Sequence, residues 1–289
     1  MRTSRLLLAA AVIVSLPAFA GAAPSAPEGV KVVRDIVYAK YGDRDVMLDL
    51  YLPEKIDKKP IACIVVIHGG GWRSGNKERF ARFAADLAEH GYAAACIGYR
   101  LLPEVTFPAP IVDCKAAVRW VRANAEKYSI DPDRIGAIGG SAGAHLVAML
   151  GTSHQVAELE GDGGQPGVSS RIHAVVALAT PADLTRYGQR IGMAKKMIQL
   201  TSPITHVDDQ SAPILLIHSD DDPVVPYQMS VDLKAKYEAK GVRAELVTIE
   251  RGGHAFWNSQ KWFPDTMTRA KKFFDEVLGD PTGTNSPSD

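Results

Sequence analysis

Residues 61–67 read IACIVVI, a run with no polar side chain. A strand with one face in water alternates apolar and polar residues, whereas a strand covered on both faces need not. This run therefore demands packing on both sides. Further short apolar runs lie at 92–97, 135–138, 172–179 and 214–217, with a last strand at 244–249. Between and after them come stretches of helical period at 79–90, 111–128, 228–240 and 264–278. An alternating pair at 30–38 and 45–52, around Gly42-Asp43, predicts an antiparallel hairpin at the start. The expectation is an α/β fold: a mostly parallel, eight-stranded sheet with helices on both faces. Such sheets bind ligands beyond the carboxyl ends of their strands, so the residues that carry chemistry belong in the loops found there.

The segment 134–146, RIGAIGGSAGAHL, follows the strand at 135–138. Gly139-x-Ser141-x-Gly143 has the spacing of a nucleophile elbow, a strained turn crowded enough to require small neighbours. Gly139, Gly140, Ala142, Gly143 and Ala144 supply them. The serine then stands at the N-terminus of a helix, where free N–H groups and the helix dipole favour negative charge. By itself this is a weak motif, because glycine- and serine-rich turns are common. Three other loops decide the matter.

The strand at 61–67 runs into His68-Gly69-Gly70-Gly71-Trp72. With the N–H of Ala142, backbone N–H groups of Gly70 and Gly71, or alternatively Trp72, could form an oxyanion hole. The spacing fits neither a phosphate-binding loop nor a dinucleotide fingerprint. Three aspartates, Asp220 to Asp222, follow the strand at 214–217. Asp222 is the expected triad acid because Pro223 rigidifies the turn after it, and Asp220 is expected to brace the loop. The run lacks the spaced ligands of a calcium loop. Of eight histidines, His254, in a Gly252-Gly253-His254 loop after the last strand, completes the order Ser, acid, His and is the expected general base.

A formal net charge of +0 gives no reason to expect nucleic acid or an anionic membrane as partner. Arg2 and Arg5, an apolar run at 6–16 and Ala18-Phe19-Ala20 read as a signal peptide over 1–22, followed by a catalytic domain over 23–279 and a polar tail at 280–289. After cleavage no membrane association is expected, and no oligomeric state is read. The three cysteines have no metal or redox spacing. They are expected as buried thiols, with a Cys63–Cys96 bridge open if their strands are neighbours.

The set HGGGW at 68–72, YRL at 99–101, FPAPIVDCKAAVRWVR at 107–122, DPDRIGAIGGSAGAHL at 131–146, HSDDDPVVP at 218–226 and GGHAF at 252–256 resembles the α/β-hydrolase esterases. The resemblance is closest to the acetylxylan and feruloyl esterase group, with hormone-sensitive-lipase-like carboxylesterases as near relatives. It implies Ser141, Asp222 and His254 as the triad, a short cap insertion at 183–207, and Arg100 and Asp113 as scaffold. Ser219 replaces the family's usual glycine. The expected function is an exported serine ester hydrolase acting on a small-molecule or oligosaccharide ester, with no metal or cofactor needed. Trp72 and Trp257 are the expected substrate-binding residues, and Trp257 with Trp262 is read as a sugar-stacking platform near the catalytic histidine or else as packing for the last helix. A peptidase or amidase of the same fold and a non-catalytic binding relative are the rivals.

Overall fold

The computed structural model describes residues 27–56, 60–188 and 193–280. The expected leader at 1–22 and the tail from 281 onward lie outside the described residues. Eight strands form one sheet in the order β1-β2-β4-β3-β5-β6-β7-β8. They are β1 (Val30–Tyr41), β2 (Arg44–Pro53), β3 (Ile61–Ile67), β4 (Ala93–Ile97), β5 (Ile130–Gly140), β6 (Ala174–Leu178), β7 (Ile214–Ser219) and β8 (Ala244–Ile249). Strand β2 pairs antiparallel with both β1 and β4, and the remaining pairs are parallel.

Both faces are covered, as β3 requires. Ile61, Cys63, Val65 and Ile67 point into one core. They share it with α2 (Ala109–Ala123), α3 (Ala142–Thr152) and α6 (Gln228–Glu238). Ile64 and Val66 point into the other, packed by α1 (Ala81–Glu89) and α7 (Phe263–Leu278). The insertion carries α4 (Thr185–Gly188) and α5 (Lys195–Leu200). In α1 the buried residues are Phe83, Ala84, Leu87 and Ala88, one stripe at helical spacing. Every residue of α3 is buried, because it lies between the sheet and the insertion.

Two local expectations change. The helix expected over 111–128 starts at Ala109 and stops at Ala123, with a separate short turn at Glu126–Tyr128. The Asp131-Pro132-Asp133 turn lies inside β5 as a bulge: Ile61 faces Ile130, but Cys63 already faces Ile135. Asp131 holds it by accepting the Asp133 N–H at 2.9 Å and Arg134 Nε at 2.8 Å.

The Cys63–Cys96 bridge is excluded. Their strands are neighbours, yet Cys63 pairs with Ala93 and the two thiols enter opposite cores. All three cysteines are free and buried. Burial pushes the Cys63 thiol up to about 12, so it stays protonated.

The sheet order also sets where a site can form. From β3 the chain moves one way to β4 and then returns to β5 on the other side of β3. The crevice outside the β3 and β5 carboxyl ends is a topological switch point.

Candidate active site

Loop 68–72 leaves β3 at that crevice, and Ser141 leaves β5. A Cβ on Gly69 would lie 2.5 Å from the Gly140 carbonyl oxygen, so the two loops touch through backbone. Ser141 has φ 57 and ψ −119, the strained conformation a nucleophile elbow demands of a non-glycine residue. Its N–H donates to Leu178 O at 2.8 Å and its carbonyl accepts the His145 N–H at 3.0 Å, which locks the turn between β6 and α3. Gly143 must be glycine, since a Cβ there would lie 2.2 Å from Ile67 O.

The structure brings the three expected residues together. His254 Nε2 lies 2.8 Å from Ser141 Oγ, and His254 Nδ1 lies 2.8 Å from Asp222 Oδ2. The Asp222 side chain is fully buried. Burial alone would raise its carboxyl, but donors overcome this. His218 Nε2, which bonds Val225 O at 3.1 Å, also lies 3.3 Å from Oδ2. The Val224 and Val225 N–H groups donate to Oδ1 at 2.8 and 2.9 Å. With His254 these hold the carboxyl well below the usual range. Because Asp222 is ionised, His254 carries its proton on Nδ1 and offers Nε2 as an acceptor to the Ser141 hydroxyl.

The other two aspartates hold the histidine's loop. Asp220 accepts the Arg251 N–H at 2.8 Å. Asp221 accepts the Gly253 N–H at 2.9 Å. Ser219 adds a further tie: its hydroxyl accepts the Gly252 N–H at 2.8 Å and donates to Asp221 at 2.7 Å. Sequence reasoning missed the parts played by Ser219 and His218. His218 is fully buried behind Asp222, its Nδ1 2.7 Å from Ser230 Oγ. The only sequence signal was its spacing of four residues from the acid.

Ser141 opens into a cavity of about 280 Å³, lined among others by Gly71, Trp72, Ala142, Tyr187 and Val224. Gly71 and Ala142 of the expected oxyanion set are thus at the cavity. Gly70, also of that set, is not among its lining residues; its carbonyl accepts the N–H groups of Arg73 and Ser74, both at 3.1 Å. Ala142 opens α3, so its N–H has no partner within the helix.

Trp72 is 8% exposed and forms part of the cavity wall. Its Nε1–H donates to His145 Nδ1 at 3.2 Å, and His145 Nε2–H donates to Thr201 O at 2.7 Å. Burial pushes His145 down to about 4, so it is neutral and links the glycine loop to the insertion. Trp257 requires a correction. It is 3% exposed, its ring stands edge-on to His254 at 5.8 Å, and a Cβ on Gly140 would meet it at 2.7 Å. A side chain wedged under the elbow offers no face to a sugar, so it packs the core with Phe256 and α7. Arg100 and Asp113 are scaffold as expected, joined through Nη2 at 2.7 Å.

The chain matches the BD-FAE family over residues 48–237. It is 31% identical to the probable carboxylic ester hydrolase LipM of Mycobacterium tuberculosis over 68% of its own length and 49% of LipM's. The chain therefore spans about half the length of the curated relatives it matches. Among solved structures it is similar to a truncated carbohydrate esterase from gut microbiota, with TM-score 0.74 and 31% identity, covering 87% of this chain and 96% of that one. It is also similar to the propionate-bound esterase Est2 of Thermogutta terrifontis, with TM-score 0.77 and 29% identity, covering 92% of this chain and 98% of that one. The switch-point sheet, the strained serine turn and these matches agree: the chain belongs to the BD-FAE family, among the esterases of the α/β-hydrolase fold.

Proposed function

We propose that this protein is a serine carboxylic-ester hydrolase. The observation that carries the reading is the hydrogen-bonded line from Asp222 through His254 to Ser141, ending at the cavity. His254 Nε2 takes the Ser141 proton as Oγ attacks the ester carbonyl, and Asp222 stabilises the imidazolium that forms. The carbonyl oxygen becomes negative and faces the Gly71 N–H of the loop after β3 and the Ala142 N–H at the N-terminus of α3. The imidazolium then gives its proton to the departing alcohol. Water, deprotonated by the same His254, hydrolyses the acyl-enzyme and returns the proton to Ser141.

The substrate reading is an ester of small acyl groups, on plant polysaccharide or on related small molecules. The carbohydrate esterase among its structural neighbours supports it, as does the apolar wall of Trp72, Tyr187 and Val224 beside Ser141. Export through an N-terminal signal peptide belongs to the same proposal, and mass spectrometry of material released by a Sec-competent host would find a chain beginning near Gly21 or Ala23. A fluorophosphonate probe tests the chemistry: it should label the wild type and not Ser141→Ala. Labelling of both, or turnover of aminoacyl-anilides without esters, would sink the ester hydrolase.

A further inference from the structure

Beyond the Ser141 cavity lies a second one of about 360 Å³, and the two share Arg73 and Leu102. The second is walled by Val105, Phe107, Met193 and Met197 among others. Arg73 is the one charged side chain among the described residues lining either cavity. It follows Trp72 directly, is exposed, and its guanidinium has no hydrogen-bond or ion-pair partner among the described residues. An acetyl group, not much larger than two waters at roughly 30 Å³ each, would leave most of this space empty. Ligand sites are typically apolar clefts of about 300–1,000 Å³ in which a few polar groups fix orientation.

The side of the ester that reaches this lobe follows from the proposed chemistry. His254 must protonate the alcohol, so the alcohol leaves on the side of the histidine loop. No residue of loop 252–256 lines either cavity, and the second abuts the glycine loop and the insertion. The lobe therefore receives the acyl chain. We propose that the protein favours esters whose acyl chain ends in a carboxylate, hemiesters of dicarboxylic acids, with Arg73 pairing with that carboxylate across the border of the two cavities. This rests on the ester-hydrolase reading and replaces its small acyl group with a longer chain that ends in a carboxylate. A planar guanidinium suits a carboxylate through paired N–H···O bonds.

The test compares monomethyl esters of glutaric, adipic and suberic acid with methyl esters of the matching monocarboxylic acids, by pH-stat at pH 7.5, beside p-nitrophenyl acetate. The expected result is a higher kcat/KM for one or more hemiesters than for their neutral partners, by about fivefold, as an exposed pair of up to about 1 kcal/mol allows. Added salt should shrink that preference. Arg73→Gln should abolish it and Arg73→Lys should keep part of it. Circular dichroism checks that both variants fold. Turnover of p-nitrophenyl acetate with no hemiester preference, or a preference that survives in Arg73→Gln, overturns the proposal alone. A wild type inert to every ester overturns the ester-hydrolase reading and this proposal with it.

Discussion

Asp222 shows how much one side chain can be asked to do. Two imidazole nitrogens and two backbone N–H groups converge on its two oxygens. They outweigh burial, so the group stays ionised and fixes the His254 tautomer. Asp222→Asn presents an amide where His254 needs an anion. It should lower kcat on p-nitrophenyl acetate by about 10⁴-fold with little change in KM; a loss below tenfold would remove Asp222 from the mechanism. The sequence singled out this residue among three aspartates through Pro223 and the family resemblance, but the neighbours' separate tasks on Arg251 and Gly253 depend on a contact between loops more than thirty residues apart. Trp257 went the other way. Its nearness to the histidine was legible, but its orientation beneath Gly140 was not, since only packing decides which face of an aromatic ring meets water. Trp257→Ala should destabilise the fold by about 3–5 kcal/mol in urea unfolding. A stable variant that lost only polysaccharide binding would contradict the packing role.

Elements meet at His145. It lies on α3, accepts from Trp72 of the glycine loop and donates to Thr201, the residue after α5. A sequence reading could place it on the elbow helix but give it no role, because its partners are 73 and 56 residues away. The consequence is a pH dependence of stability. Burial lowers His145 from 6.5 to about 4 in the folded chain, so between those values the unfolded chain binds the extra proton. Stability is therefore full above 6.5 and falls as pH drops toward 4, by on the order of 3 kcal/mol from this group. His145→Gln keeps an acceptor and a donor but cannot titrate. Urea unfolding from pH 7.5 to pH 4.5 should show a smaller loss for the variant than for the wild type; equal losses would contradict a neutral buried histidine.

At the scale of the molecule, local periodicity carried far. The apolar runs marked β3 and β8 at their observed bounds because burial on both faces, or on one, writes itself into neighbouring residues. Strand order leaves no such local trace. The return from β4 past β3 to β5, which creates the crevice, is a long-range choice of pairing. So is the pair of cavities, whose walls come from the glycine loop, residues 102–107 and the insertion. The fold can therefore stand without the chemistry, and one substitution separates them. Ser141→Ala removes a single oxygen from a backbone already held by Leu178 and His145. The decisive measurement is p-nitrophenyl acetate turnover by this variant, paired with its thermal unfolding. The expected result is a kcat lower by at least about 10⁴-fold with an almost unchanged Tm. Turnover retained within tenfold of the wild type would contradict it.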